Sequence, residues 1–192
     1  YANLALGAAL DRSGLSAIDR NFVTEMVYGT LRRRRSCDYL VDRFLTSDPP
    51  PEARSALRVG AYQLHFAQTP PHAAVSSTVG AVSKRFRGFV NAVLRKVSTS
   101  EVNWPDRGTE LSYPDWLIER LVADLGESDA IAALVAMNEA PTVTSRDDGY
   151  VQDLASQEVI RSLGDLSGLV AFDLCAAPGG KATAMASAGA RV

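Results

Sequence analysis

A run of nine residues near the carboxyl end has the composition of a site for a nucleotide-like cofactor. The run reads D-L-C-A-A-P-G-G-K from Asp173 to Lys181 and directly follows the apolar residues Leu169 to Phe172. This pattern predicts a buried strand that ends in a carboxylate and then turns through small residues into a helix. In α/β enzymes such cofactors bind outside the carboxyl end of the first strand. Glycines let the backbone approach a ligand closely, and Lys181 adds a positive charge at the helix entrance. The alternative is an ordinary strand–turn–helix connection.

The same nine residues resemble the first cofactor motif of the RNA (cytosine-5) methyltransferases, D-x-C-A-A-P-G-G-K. The match is complete, and only Ala182, where Thr is commoner, departs from the pattern. The resemblance implies S-adenosyl-L-methionine as the cofactor, with a loop around its methionine part and a supporting carboxylate from the strand end. The cofactor-binding residues implied in this way are Asp173, Cys175, Ala176, Ala177, Pro178, Gly179, Gly180 and Lys181. Cys175 is not implied as the catalytic thiol, because the nucleophile of that family lies in later motifs.

The first hundred residues have the pattern of an all-α bundle. Apolar residues recur at helical spacing, and proline turns at 49–51 and 70–71 separate the helices. Ser16 and Asp19 form a capping box at a helix start. Leu57, Gly60 and Ala61 mark a face of small residues that is suited to close helix packing.

This region resembles the NusB-like helical domain that precedes the catalytic domain in bacterial 16S ribosomal RNA cytosine-5 methyltransferases of the Sun/Fmu type. The phrases that carry the resemblance occur in order at residues 24–32, 58–64, 70–75 and 88–95. NusB-like domains are RNA-associated. The resemblance therefore implies an all-α NusB-like bundle followed by the start of an α/β Rossmann-like methyltransferase domain that uses S-adenosyl-L-methionine.

The charges of the chain are unevenly distributed. Residues 1–100 contain 14 basic and 7 acidic side chains, whereas residues 101–192 contain 6 and 15. This contrast indicates two domains, and a basic half is suited to the phosphate backbone of a nucleic acid. The residues that we predict to contact RNA are Arg32, Arg33, Arg34, Arg35, Arg85, Arg87, Arg95 and Lys96. For the four adjacent arginines, interpreted as lying on one helix, the alternative is a solvated turn that bridges to Asp38 or Asp42.

Residues 104–150 form an acidic segment, which we predict to connect a helical domain at 1–103 with the methyltransferase part at 151–192. A helix begins near Pro114 and ends at Gly126, and a second runs from about Asp129 to Asn138. The phrase Ser-Tyr-Pro-x-Trp-Leu at 112–117 again resembles the methyltransferase family, where this segment helps to hold RNA. A helical linker packed on the next domain is the alternative.

The chain departs from the family pattern near Arg146. In the family an α/β subdomain separates the Asn-x-x-Pro region from a Gln-Asp-x-x-Ser phrase, but here Asn138 precedes Gln152 by only a short stretch. We expect the chain to be part of a longer protein, and a genuine deletion is the alternative. The Asp-Ala-Pro-Cys and Thr-Cys motifs that carry the family's catalytic cysteines are not present. We therefore predict no catalytic residue within this chain.

Cysteine content and the length of the apolar runs indicate the cellular compartment. Only Cys37 and Cys175 are present, without metal-ligand spacing, which argues for a reducing compartment and against a metal site. No apolar run approaches the roughly 20 residues that span a bilayer. We expect a cytoplasmic protein whose full-length form methylates C5 of cytosine in 16S ribosomal RNA. The alternative is a NusB-type RNA-binding module with a non-catalytic methyltransferase remnant. A protein partner for the helical domain is equally compatible with its periodicity.

Overall fold

The computed structural model describes residues 1–140 and 142–192, and these divide into two compact units at 140/141. Secondary structure in the described residues is almost entirely helical. The helices are α1 (Ala2–Asp11), α2 (Ala17–Arg32), α3 (Arg34–Asp42), α4 (Pro51–His65), α5 (Pro71–Ala81), α6 (Lys84–Thr99), α7 (Arg107–Leu111), α8 (Asp115–Leu125), α9 (Glu127–Met137), α10 (Leu154–Arg161) and α11 (Gly180–Ser187). None of them is long and apolar enough to cross a membrane.

The core of the first unit lies around α4, which packs against α2, α3, α5 and α6. Leu40, Leu57 and Leu94 are completely buried in this core. The predicted small-residue face is confirmed at Gly60, because a Cβ there would lie 2.5 Å from Cδ1 of Leu94 on α6. The prediction of an all-α bundle is therefore confirmed. The absence of a side chain at Gly60 allows α4 and α6 to pack closely.

Helix ends in this unit follow the local signals of the sequence. The hydroxyl of Ser16 accepts a hydrogen bond from the amide of Asp19 at 3.2 Å, which confirms the predicted cap of α2. Pro51 and Pro71 occupy the first positions of α4 and α5. Gly126 separates α8 from α9 with φ of +81°, a conformation that glycine adopts without strain. Helix α9 begins two residues earlier than the sequence pattern predicts.

The interpretation of the four arginines as part of one helix is wrong. Arg33 has φ −96° and ψ 22°, so α2 ends at Arg32 and α3 begins at Arg34. The guanidinium of Arg33 lies over the ring of Phe66, with its carbon 4.8 Å from the ring centroid. Because the helix is interrupted at Arg33, the four side chains contact different neighbours.

Residues 104–140 belong to the first unit rather than standing apart from it. The short helix α7, which no sequence signal predicted, is capped by Asp106, whose carboxylate accepts from the amide of Thr109 at 2.6 Å. The side-chain nitrogen Nδ2 of Asn138 is buried and donates to the carbonyl of Leu111 at 2.8 Å. The division at 140/141 lies within the predicted connecting segment 104–150.

The prediction of a buried strand over 169–172 is wrong for the second unit. Val170 pairs with Arg191 in a single isolated parallel bridge, and Phe172 remains 86% exposed. A parallel strand is buried only when neighbouring strands and helices cover both of its faces. Among the described residues, the bridge to Arg191 is the one strand-like pairing that this segment makes. Ile160, Leu166 and Met185 form the small core between α10 and α11 instead.

Candidate functional site

The nine-residue loop, residues 173–181, begins with an acidic turn. The Oδ1 atom of Asp173 accepts a hydrogen bond from the amide of Cys175 at 3.0 Å. The other carboxylate oxygen, Oδ2, is buried and has no hydrogen-bond partner among the described residues. A buried polar atom without a partner is costly, about 1–3 kcal/mol. A ligand that donates a hydrogen bond here would remove that cost.

Gly179 joins the loop to α11. Its φ of +108° lies in the region that side chains disfavour, and a Cβ there would meet only open space. The constraint at this position is therefore the backbone conformation itself. The carbonyl of Gly179 accepts from both the amide and the hydroxyl of Thr183, at 2.9 and 2.8 Å, which fixes the first turn of α11. Lys181 is exposed at this helix start.

A cleft of about 190 Å³ lies along the loop. Its walls are Tyr150, Val151, Gln152 and Ser156 on one side and Cys175, Ala176, Ala177, Pro178, Gly180 and Lys181 on the other. A Cβ on Gly180 would lie only 3.2 Å from Nε2 of Gln152, so a side chain at 180 would narrow the cleft. Cavities that enclose a whole drug-sized ligand measure about 300–1,000 Å³. The residues therefore fit one end of a cofactor and leave the other end outside this cleft.

Arg146 connects this cleft to α11, and sequence reasoning missed it. Its Nη1 donates to the carbonyl of Gly180 at 2.7 Å and to the hydroxyl of Thr183 at 3.2 Å. The guanidinium carbon lies 4.7 Å from the centroid of the Tyr150 ring, and the side chain is only 10% exposed. The only sequence signal nearby was the family phrase that begins at Gln152. Arg146 itself resembles no motif residue.

Asp148 holds the guanidinium of Arg146 in place. Its carboxylate accepts from both Nε and Nη2 of Arg146. This pairing lowers the pKa of Asp148, and the amide of Tyr150 contributes through a further hydrogen bond to the carboxylate. The same pairing raises the pKa of Arg146. The shifts of both pKa values favour the charged pair, and the same guanidinium contacts the carbonyl of Gly180.

The structure places the four adjacent arginines in four different environments. Arg32 pairs with Glu25 at 3.0 Å, and the same carboxylate accepts from the hydroxyl of Tyr62 at 2.6 Å. Arg33 stacks on Phe66, and its partial burial lowers its pKa. Arg34 is the most exposed, and its single ion pair, with Asp38 at 3.8 Å, is the bridge that the solvated-turn alternative describes.

Arg35 has the most contacts of the four. Its guanidinium donates to the carboxylates of Asp106 and Asp115, at 3.1 and 2.7 Å, and to the carbonyl of Tyr113 at 2.7 Å. A Cβ on Gly108 would lie 2.5 Å from Nη1 of Arg35, so the glycine makes room for the guanidinium. Arg35 therefore joins α3 to the segment that contains α7 and the start of α8.

The other four predicted RNA contacts lie on α6 and are all exposed: Arg85, Arg87, Arg95 and Lys96. Arg85 stacks on Phe86 and lies 3.6 Å from Glu52. Arg87 donates to the carbonyls of Val82 and Gly80. These four residues lie on one helix, whereas the arginine run is divided between α2 and α3.

The two cysteines are in opposite environments. Cys37 is fully buried in the core of the first unit, and desolvation raises the pKa of its thiol to about 12. Cys175 is exposed in the loop. Among the described residues, no group of three or more histidine, cysteine or acidic side chains is arranged to hold a metal ion.

The first unit is an all-α bundle, and the second unit contains a glycine-rich loop at the start of a helix. Residues 1–99, just over half of the chain, match the family model described as the NusB family. The chain belongs to the NusB family. This confirms the resemblance of the first hundred residues.

Several curated relatives carry methyltransferase names. "Ribosomal RNA small subunit methyltransferase B" of Thermus thermophilus is 41% identical over 123 residues, which is 62% of this chain and 30% of that protein. "Probable ribosomal RNA small subunit methyltransferase B" of Synechocystis is 29% identical over 97% of this chain and 56% of its own length. The corresponding Xanthomonas campestris protein is 28% identical over 85% and 49%. The chain therefore spans about half or less of the length of these relatives.

The alignment with the Synechocystis protein extends over 252 positions, whereas this chain has 192 residues. The relative therefore has at least 60 residues, within the aligned region, that have no counterpart here. This agrees with the internal gap that the family pattern predicts. Among solved structures, the crystal structure of PH0851 matches with a TM-score of 0.58 over 95% of this chain and 55% of that one. At 20% identity this likeness concerns the fold alone.

Proposed function

We propose that the protein containing this chain methylates C5 of cytosine in 16S ribosomal RNA with S-adenosyl-L-methionine as methyl donor. The observation that carries the proposal is the loop 173–181, which contains a buried carboxylate oxygen with no partner among the described residues, a glycine turn and a helix start. Membership of the NusB family and relatives named ribosomal RNA small subunit methyltransferase B support the substrate class.

In this proposal the chain holds one end of the cofactor. Bound there, S-adenosyl-L-methionine supplies an electrophilic methyl group. The carboxylate of Asp173 would hold it by accepting a hydrogen bond, and Lys181 would offer a positive charge to an anionic group. Gly179 supplies the left-handed conformation of the turn, and Gly180 keeps the cleft open, since a side chain at 180 would press on Gln152. Arg146 fixes the carbonyl of Gly180 and so the orientation of the loop.

The attacking thiol of this proposal lies outside these 192 residues. Cytosine C5 is a weak nucleophile, and the resembling enzymes activate it by adding a cysteine thiolate at C6. The target base must leave its stack to reach such a site. Cys37 is unsuited, because its burial keeps the thiol protonated at neutral pH. Cys175 belongs to the cofactor loop.

The finer assignments belong to the same proposal. We infer a three-part organisation of 1–103, 104–150 and 151–192, with the last part as the start of a Rossmann-like domain, and a cytoplasmic location. A NusB-type RNA-binding module with a non-catalytic remnant is the second candidate. It is favoured by the exposure of Phe172 and Leu174, 86% and 95%, which leaves the loop without a covered sheet beneath it.

Methyl transfer to RNA separates the two candidates. The full gene product is incubated with S-adenosyl-L-methionine that carries a labelled methyl group and with unmodified small-subunit ribosomal RNA. The enzyme proposal expects label in the RNA, at cytosines that then resist bisulfite conversion, and loss of label when Gly180 is replaced by Val. RNA binding without any methyl transfer supports the module instead.

A further inference from the structure

Helix α6 has an exposed basic surface that the packing of the first unit does not neutralise. Its sixteen residues contain Lys84, Arg85, Arg87, Arg95 and Lys96 and no acidic residue. All five basic side chains are exposed, whereas Val90, Val93, Leu94 and Val97 are buried against the bundle. The helix is therefore divided into an apolar face toward the core and a cationic face toward solvent.

The cationic side chains are aligned by helical geometry. Successive residues turn by about 100°, so Arg95, eleven positions after Lys84, returns to within about 20° of the same direction. Arg87 lies about 60° to one side of Lys84, and Arg85 and Lys96 share a second stripe about 100–120° to the other side. At about 1.5 Å per residue, the distance along the axis from Lys84 to Lys96 is roughly 18 Å.

Carboxylate partners are scarce on this surface. Among the ion pairs of residues 1–140, Arg85 with Glu52 at 3.6 Å is the one that involves α6. Arg95 contacts the side-chain oxygen of Asn91 at 3.3 Å, which leaves its charge uncompensated. The arginine run differs, because Arg32 and Arg35 have carboxylate partners at 2.7–3.1 Å and Arg33 is stacked and partly buried.

We propose that the α6 surface, formed by Lys84, Arg85, Arg87, Arg95 and Lys96, binds the phosphate backbone of the RNA substrate, and that Arg32, Arg33 and Arg35 serve the fold instead. Lys and Arg against phosphates supply most sequence-independent affinity, because they release condensed counterions. A surface with several aligned cations and almost no carboxylates is complementary to such a polyanion. The inference rests on the proposed RNA substrate and locates its contact on the helical unit.

The test is a salt series of RNA binding, measured by the fluorescence anisotropy of labelled single-stranded poly(U) with the full gene product. The double variant Arg95→Gln, Lys96→Gln is expected to bind roughly tenfold more weakly, and its slope of log affinity against log salt falls by about 1.4. Lys84→Gln alone lowers the slope by about 0.7. These side chains are exposed, so thermal unfolding of the variants should match that of the wild type.

Arg107→Gln, Arg120→Gln is the matched control. It removes the same charge from exposed arginines of the same unit, at 60% and 72% exposure, and its affinity should stay within about twofold. Equal weakening in both double variants would show that only net charge matters and would overturn the proposal. Unchanged poly(U) binding by the α6 variants would also overturn it and would favour an acidic protein as the occupant.

Methyl transfer distinguishes this inference from the proposed function. If the wild type methylates ribosomal RNA while the α6 variants bind poly(U) normally, the surface is wrong and the enzyme stands. If the wild type transfers no methyl group but loses RNA affinity on substitution in α6, the enzyme proposal fails and the surface stands.

Discussion

Single residues decide how the loop can be probed, and the two thiols are the simplest case. Cys37 is fully buried with a pKa raised to about 12, whereas Cys175 is exposed in the loop. Only the thiolate reacts with disulfide reagents. Chemical access to the loop can therefore be read from one side chain, without interference from the other.

We expect one thiol to react with a disulfide reagent in the native protein, because only one of the two is exposed. The reacting thiol is Cys175, and Cys175→Ser should abolish the fast phase of a disulfide-exchange titration. If S-adenosyl-L-methionine occupies the loop, saturating cofactor should slow the reaction. An unchanged rate with cofactor present would argue against binding at residues 175–181, whatever the activity of the enzyme.

Gly179 tests the backbone of the loop rather than its chemistry. Gly179→Ala forces a side chain into φ of +108° at a cost of about 1–3 kcal/mol, although the space around it is open. We expect weaker cofactor binding in calorimetry. Gly88→Ala is the control, because Gly88 lies in α6 with nothing near its Cβ position and should gain about 0.5–1 kcal/mol of stability. If Gly179→Ala and Gly88→Ala bound the cofactor with equal affinity, cofactor binding would not depend on the backbone conformation at residue 179.

At the scale of elements, Arg35 determines how α3 meets α7 and α8. Its guanidinium makes hydrogen bonds to Asp106, Asp115 and the carbonyl of Tyr113 in one fixed geometry. An ammonium group cannot reproduce this set of directions. The same guanidinium occupies the space that the missing side chain of Gly108 leaves.

Arg35→Lys should lower the free energy of unfolding by about 1–2 kcal/mol, because hydrogen bonds to charged groups are lost. The matched control is Arg34→Lys, since Arg34 is 63% exposed and has one long ion pair. That control should change stability by less than about 0.5 kcal/mol. The measurement is urea unfolding followed by circular dichroism. Equal midpoints for the two variants would contradict the role given to Arg35.

Acid should weaken the start of α7. A hydrogen bond from the amide of Thr109 and, to a smaller extent, the charge of Arg35 hold the pKa of Asp106 below its usual value of 3.8. A depressed folded pKa means that the stabilisation is present above about pH 3.8 and is lost as the pH falls through the folded value. Asp106→Asn removes this titration. The stability difference between wild type and variant should therefore shrink below pH 3.8 and stay constant above it.

How far the sequence predicts these elements depends on how local their causes are. Ser16, Pro51 and Gly126 act within one turn of helix, and the boundaries they set are where the sequence places them, within about two residues. The ring of Phe66 that Arg33 contacts is distant in the sequence, and the exposure of segment 169–172 depends on which strands lie beside it. Arg146 was missed for the same reason, since its contacts with Gly180 and Thr183 are long-range.

For the whole molecule, the charge contrast between the two halves of the sequence does not coincide with the two units. Residues 1–140 contain 16 basic and 16 acidic residues, because the acidic stretch 101–140 belongs to the same unit as the basic helices. Much of that charge is paired internally, as at Arg35. The unit therefore has no net charge to attract a polyanion. The basic side chains that could bind one are those concentrated on α6.

Each unit has its own hydrophobic core, so damage to one core should stay within its unit. Leu40→Ala removes a fully buried side chain from the core around α4 and should cost about 2–5 kcal/mol. Native-state hydrogen exchange should then become faster in α3, α4 and α6, while amides in α10 and α11, which pack around Ile160 and Met185, keep their rates. Leu4→Ala is the control, since Leu4 is 68% exposed and its loss should change stability by less than about 0.5 kcal/mol. Faster exchange in α10 and α11 of the Leu40 variant, to the same degree as in α3, would mean that the two units unfold as one.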